Sequence, residues 1–336
     1  MRILVTGANG FIGRVLVQRL LTTGVLSGKP ISTLILLDKE LSDFPEDNRL
    51  RRSVGSVSDA ALLRRILADG IDVVFHLVSV PGGAAEQHYA QGYEVNLQAS
   101  LELLEQLRQQ PAIPKLIYAS SVAVYGPSLA GRMDETARTH PEMSYGSHKL
   151  MVEVALNDLA RRGEVDGRAV RLPGIVARPR AANGLRSAFM SDLLHAFAAG
   201  EPYCCPVSPQ ATAWWMSARC CVDNLVHMAQ VDKSALGDQH VWQLPLLHLS
   251  IAQVIDALAA VYGEHRRELI TFAPDESLEA LFGRFPAMSA PKARALGLRH
   301  DGSAAGLVRN ALNPSARTRR AGVANYSAGD LAHETD

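Results

Sequence analysis

The sequence carries no surplus of charge. Its 34 Lys+Arg are matched by 34 Asp+Glu over 336 residues, so the formal net charge is zero. Nucleic-acid binders ordinarily show a basic excess, so a broad polyanion-binding surface and a nucleic-acid partner are excluded. Long apolar runs are missing as well. None approaches the ~18 residues needed to span a bilayer, which excludes a membrane helix. Cysteine is scarce: the four present form two vicinal pairs, Cys204-Cys205 and Cys220-Cys221. That spacing fits neither a usual disulfide framework nor a C-x-x-C zinc site. Free thiols in a reducing cytoplasm are the expectation, with a redox or metal role as the alternative. No signal peptide is expected, because a strand-like run over 2–6 begins at once and leads into glycines. Apolar residues are not lacking. At 47% of the chain, against 20% charged, they can fill the core of one large domain or two modest ones.

Short apolar runs over 3–6, 34–38, 73–77 and 115–119 read as strands. Amphipathic segments over 11–23, 60–68 and about 94–109 lie between them. This β-α-β alternation predicts an α/β protein with a parallel sheet covered by helices on both faces. A longer helix is predicted over 144–162 and another strand over 168–172. On that helix Met151, Val152, Val154, Ala155, Leu156 and Leu159 occupy more than one face, so one side should meet something beyond its own sheet. Past Pro179 the pattern loosens into shorter elements: helices near 187–199 and from Ser250 to Tyr262, strands near 240–244 and 269–272. The expected domains are therefore a cofactor sheet over 1–179 and a smaller substrate-binding lobe over 180–313, interleaved with the end of the sheet. A flexible tail is expected over 314–336.

Two motifs carry the chemistry. Thr6-Gly7-Ala8-Asn9-Gly10-Phe11-Ile12-Gly13 joins the first strand to the first helix with spacing G-x-x-G-x-x-G. Gly7 suits a tight turn, Gly10 a close approach to a pyrophosphate, and Gly13 close helix–strand packing. The helix N-terminus offers free N–H groups for phosphates. Asp38, at the end of the second strand, would accept from the adenosine ribose hydroxyls and repel a 2′-phosphate, favouring NAD over NADP. Strand, glycine turn, helix and terminal acid together predict a Rossmann-type doubly wound sheet. The second motif, Tyr145-Gly146-Ser147-His148-Lys149, opens the long helix. Residues i and i+4 share a helix face, so a lysine ammonium can lie near the phenol and lower its pKa, aided by an oxidised nicotinamide. Tyr145 could then take a proton from a substrate hydroxyl while a hydride leaves its carbon. Ser120-Ser121-Val122-Ala123-Val124-Tyr125-Gly126 follows the fourth apolar run and should end at the carboxyl edge of the sheet.

Together with Asn96 in Tyr93-Glu94-Val95-Asn96, these motifs resemble the extended short-chain dehydrogenase/reductases over roughly residues 1–275. The resemblance implies catalytic roles for Ser121, Tyr145 and Lys149, the lysine also binding the nicotinamide ribose. It implies NAD contacts from Gly7, Asn9, Gly10, Phe11, Ile12, Gly13 and Asp38 along the first half of the crevice. Ser56, Val57, Leu77, Val78, Asn96, Tyr145, Lys149, Pro173 and Ile175 complete that set. It also implies a homodimer paired through long helices. Departures matter. Sugar-nucleotide members place an asparagine three residues after the arginine that matches Arg171, where this chain has Gly174. They also place an arginine about seven residues before the match to Asp223, where this chain reads Trp214-Trp215-Met216-Ser217. Val78-Ser79 replaces a pair of alanines, and Ser56 stands where an aspartate meets the adenine.

Residues 161–173, Cys205-Pro206-Val207-Ser208-Pro209 and 219–227 resemble one subgroup, the D-erythronate dehydrogenases. That implies oxidation of C2 of a four-carbon sugar acid to the 2-oxo acid. Such a substrate needs a carboxylate clamp. Arg178 and Arg219 are the candidates, each with a surface ion pair as the alternative, and Ser79, Ser121, Tyr145 and Ser208 could meet hydroxyls. Arg171 reads as structural, and His76, His140 and His148 as packing or capping residues. Trp214 and Trp215 could wall the pocket or pack the lobe. The other readings are a sugar-nucleotide epimerase or dehydratase, which would retain the hydride in a closed cycle, and a non-enzymatic cofactor sensor.

Overall fold

A computed structural model describes residues 1–127, 129, 131–180 and 186–312; the tail expected over 314–336 lies outside the described residues. Seven strands form one sheet: β1 (Arg2–Thr6), β2 (Thr33–Asp38), β3 (Leu50–Val54), β4 (Val73–His76), β5 (Lys115–Ser121), β6 (Asp166–Leu172) and β7 (Val241–Gln243). Their spatial order is β7-β6-β5-β4-β1-β2-β3 and every pairing is parallel. Such a sheet must be covered on both faces, which is why its strands read as nearly unbroken apolar runs. β3 is the exception. As an edge strand with sequence LRRSV and mostly exposed side chains, it has no apolar signature and no alternation that marks it.

Helices α1 (Phe11–Thr23), α2 (Ala60–Leu67), α3 (Ala99–Arg108), α4 (Ser144–Arg161) and α6 (Ala218–Gln230) supply the cover, whereas α5 (Phe189–Ala199), α7 (Ile251–Tyr262) and α8 (Ala304–Leu312) pack in the lobe. Leu16, Val17 and Leu20 of α1 share one core with Leu225 and Met228 of α6. Leu63 and Leu67 of α2, Leu103 and Leu107 of α3, and Val152 and Leu156 of α4 fill the opposite face. Each such side chain contributes about 1.5–3 kcal/mol on burial. Local signals fix the ends: Asp59 caps α2, Ser217 caps α6, and Ser250 closes a capping box with Gln253 on α7.

The helix expected over 94–109 is broken. A π-helical turn, Tyr93–Gln98, precedes α3. It carries the Asn96 side chain onto the backbone of Val80, whose N–H donates to Oδ1 at 2.7 Å and whose carbonyl accepts from Nδ2 at 3.0 Å. Another core lies in the lobe, around Leu193, Phe197, Trp215, Val254 and Leu258. There Gly174–Val176, Thr212–Ser217 and Leu247–Ser250 form a three-stranded sheet, while Tyr203–Cys205 pairs with Ile270–Phe272.

The strand order reverses between β1 and β4, and a crevice opens outside the carboxyl ends of the strands at that point. Gly7 there has φ 70°, and a Cβ on it would lie 2.7 Å from the nitrogen of Val78. A Cβ on Gly13 would collide with the carbonyl oxygen of Gly7 and lie 2.8 Å from that of Ala8. Gly13→Ala should therefore push α1 off the turn and lower stability by about 1–3 kcal/mol. Urea unfolding without nucleotide measures this, and an unchanged midpoint would refute the close-packing role.

Candidate active site

The crevice is built first by α1. Its N-cap is Gly10, no side chain caps its first turn, and no acidic residue lies there. Free N–H groups and the positive end of the helix dipole are thus left for an anion. Asp38 lies across from it. One carboxylate oxygen accepts from the Asn9 N–H at 2.9 Å and the other from the Lys39 N–H at 2.8 Å. Each oxygen keeps a lone pair for a ribose hydroxyl. Asp38 lines a depression together with Ser56, Val57, Val78 and Ser79.

The adjoining cavity has a volume of about 440 Å³, within the usual range for small-molecule sites. Ile12, Leu77, Ser79, Ser121, Tyr145, Lys149, Pro173, Ile175 and Arg178 all line it. Strand and helix geometry bring them together. Ser121 ends β5, where its hydroxyl accepts from the N–H of Ala123 at 3.1 Å. Tyr145 and Lys149 lie one turn apart on α4. The Tyr145 hydroxyl faces the hydroxyls of Ser121 and Ser79, and the charge of Arg178 bears on it as well.

Burial governs the protonation of both α4 groups. It raises the Tyr145 pKa, against the opposing pull of Ser121, Ser79 and Arg178. The protein's own groups therefore do not give the lowered tyrosine pKa expected from sequence. The lysine beside it is itself weakened as a cation. Lys149, 2% exposed, is pushed down to about 7 by burial, partly offset by Glu153. Its ammonium donates to the Ala119 carbonyl at 2.7 Å and lies 5.7 Å from the Tyr145 ring centroid.

Arg178 and Arg219 separate. The Arg178 guanidinium lies 5.9 Å from the centroid of the Phe11 ring at the start of α1. Its buried Nε has no hydrogen-bond partner, and no ion pair to it occurs among the described residues. Arg219, half-buried at the start of α6, is not among the residues lining the cavity. Ser208 is likewise elsewhere, with its N–H and hydroxyl donating to Glu279. Arg171 binds Glu153 through two nitrogens, at 3.0 and 2.7 Å. Trp214 lines the cavity, whereas Trp215 packs into the lobe core. Sequence spacing gave no pointer to Met190, Arg186, Phe282 or Phe285, which also line it. They come from segments remote in sequence from Tyr145, so no local motif links them to it.

His76 is buried between the hydroxyls of Thr6 (2.7 Å) and Ser100 (3.0 Å), and burial holds it neutral with a pKa of about 3. Among the described residues no group of three or more His, Cys, Asp or Glu is arranged to hold a metal ion. All four cysteines are free thiols, Cys204 exposed and the others buried. No helix of the described residues is long and apolar enough to cross a membrane.

Fold and site together define a dinucleotide-dependent oxidoreductase. The uncapped α1, the Gly7 and Gly13 cradle, the Asp38 carboxylate and the buried Lys149 ammonium fit NAD. Residues 3–238 match the model of the NAD dependent epimerase/dehydratase family. The chain belongs to that family and is an NAD-dependent enzyme acting on a CH–OH group. It is similar to D-erythronate dehydrogenase of Cupriavidus necator, 37% identical over 90% of this chain and 95% of that protein. The D-erythronate dehydrogenase of Haemophilus influenzae is 33% identical over the same shares. Among solved structures, a nucleoside-diphosphate-sugar epimerase from Agrobacterium tumefaciens superimposes with a TM-score of 0.87. It is 30% identical over 92% of this chain and 93% of its own.

The depressed lysine has a measurable consequence. Between about 7 and its ordinary 10.5 the unfolded chain holds a proton on Lys149 that the folded chain has lost. Stability should therefore rise with pH across that window. Denaturant unfolding without nucleotide should show a smaller rise in Lys149→Met than in wild type. Equal pH dependence would refute the depressed value.

Proposed function

We propose that the chain is an NAD-dependent dehydrogenase of a small sugar acid, oxidising the C2 hydroxyl of D-erythronate to the 2-oxo acid. The observation that carries this is a convergence: the hydroxyls of Tyr145, Ser121 and Ser79 meet in a cavity that also holds Arg178, which has no carboxylate partner among the described residues. Ser121 and Ser79 hold the substrate oxygen, and Tyr145 removes its proton. Bound NAD⁺ supplies the acceptor for the hydride from C2. Lys149 holds the nicotinamide ribose and Asp38 the adenosine ribose. The Arg178 fork takes the carboxylate; because it faces Tyr145, the carbon next to the carboxylate is the one presented for oxidation. In this assignment residues 1–179 hold the cofactor and 180–313 shape the substrate end. Four free thiols fit a reducing cytoplasm.

The alternative, a sugar-nucleotide epimerase or dehydratase, draws support from the Agrobacterium likeness. Against it stands Gly174, where a Cβ would lie 2.7 Å from Met190 Cε and 2.8 Å from the Trp214 carbonyl oxygen. An asparagine side chain for nucleotide phosphates has no room there. Net NADH formation with tetronates and none with UDP- or dTDP-sugars is the expected result, and the reverse would overturn the proposal. Tyr145→Phe should cut turnover about 10²–10⁴-fold with NAD binding retained. Arg178→Met should raise the KM for the acid roughly 10- to 100-fold.

The proposed homodimer is supported by α4, whose Met151 and Val154 are 45% and 64% exposed, and by nearby Tyr89 at 56%. Val152 and Leu156 on the same helix face the sheet core instead. A second copy of this face would cover the patch. Val154→Glu should halve the mass measured by sedimentation; a wild-type monomer would exclude the dimer.

A further inference from the structure

The cavity has two chemically different ends. Ser79, Ser121, Tyr145 and Arg178 form the polar one. Trp214, Leu281, Phe282 and Phe285, all from the lobe, form an apolar wall. Trp214 stacks on Phe285 with centroids 4.6 Å apart and planes at 23°. The polar groups of the two residues whose rings stack are already engaged. Trp214 Nε1–H donates to the Pro286 carbonyl at 2.6 Å. The Phe285 carbonyl accepts from the Thr212 hydroxyl at 2.8 Å and from His248 Nε2 at 2.7 Å, and the Phe285 N–H donates to the Thr212 carbonyl at 3.1 Å. Arg186, which also lines the cavity, is exposed and donates to Ser277. A terminal hydroxyl of a tetronate that met the wall would leave water without gaining a partner. An alkyl or aryl group would gain by leaving water.

We propose that this wall is a subsite for an apolar substituent, so that the enzyme also oxidises 2-hydroxy acids bearing an alkyl or aryl group beyond C2. The inference rests on the hydroxy-acid dehydrogenase reading above. The chemistry is unchanged: the C2 oxygen gives its proton to Tyr145, the C2 hydrogen leaves as hydride to NAD⁺, and a carbonyl forms, giving 2-oxo acid, NADH and H⁺.

The test measures NADH formation with D-erythronate and with both enantiomers of 2-hydroxybutanoate, 2-hydroxypentanoate, 2-hydroxyhexanoate and 2-hydroxy-3-phenylpropanoate. For one enantiomer, kcat/KM should rise several-fold, up to about tenfold, per added methylene until the wall is filled. Phe282 packs against the lobe core, so the shorter but still apolar Phe282→Leu is the variant used; it should flatten that rise, and an unchanged slope would count against the wall. Turnover of D-erythronate with a flat or falling series overturns the subsite and leaves the sugar-acid reading standing. Turnover of the apolar acids without the tetronate supports the subsite and overturns the sugar acid. No NADH with any of these acids overturns both.

Discussion

The site depends on a carboxylate that has no access to water. Glu153, 1% exposed, sits on α4 two turns beyond Tyr145 and one beyond Lys149. It accepts from the Ser120 hydroxyl on β5 at 2.5 Å and from two nitrogens of Arg171 on β6. Ser120 and Arg171 are themselves register partners across the two strands. One buried acid thereby fastens the helix to both strands. Removing one partner of such a pair leaves an uncompensated charge and costs about 3–5 kcal/mol, so the arrangement is tightly held. Arg171 extends it to the Tyr125 hydroxyl at 3.1 Å, at the end of the 3₁₀ turn that begins beside Ser121. Tyr145, Lys149 and Ser121 are thus carried on one rigid unit.

A second buried set fixes the other side. His76 lies between Thr6 at the end of β1 and Ser100 on α3, and the Ser100 hydroxyl donates to the Asn96 carbonyl at 2.9 Å. That bond uses the serine proton, so His76 Nε2 donates to Ser100 and Nδ1 accepts from Thr6. The Asn96 amide in turn clamps Val80, next to Ser79. Ser79 therefore meets Tyr145 because a π-helical turn some sixteen residues later grips its loop. Neutral His76 suits this place, since its burial, and to a lesser degree the Lys149 charge, disfavours imidazolium.

Much of the fold was legible because parallel strands buried on both faces advertise themselves. β1, β2, β4, β5 and β6 were read within a residue or two, as was the Gly7–Gly13 turn whose crowding only glycine relieves. β3 was not, since an exposed edge strand needs no apolar pattern. The helix expected over 94–109 was too simple, because the π turn answers to Val80, a contact that periodicity cannot show. Nor could spacing tell Arg178 from Arg219: both follow strands of the lobe sheet, and only the folded chain decides which guanidinium reaches the cavity.

By itself, then, the sequence determined the groups held at fixed offsets along one element: the uncapped α1, Asp38 at its strand end, Tyr145 and Lys149 on one helix face, and Ser121 ending β5. Local geometry suffices for these, because φ/ψ and helical pitch place them whatever surrounds them. Tertiary structure decided the rest. Packing buried Lys149 and half-buried Tyr145 and set their protonation, closed the Gly174 position to any side chain, and joined segments some seventy residues apart into an apolar wall. Desolvation, exclusion and shape are properties of what packs around a residue, and a linear pattern does not contain them.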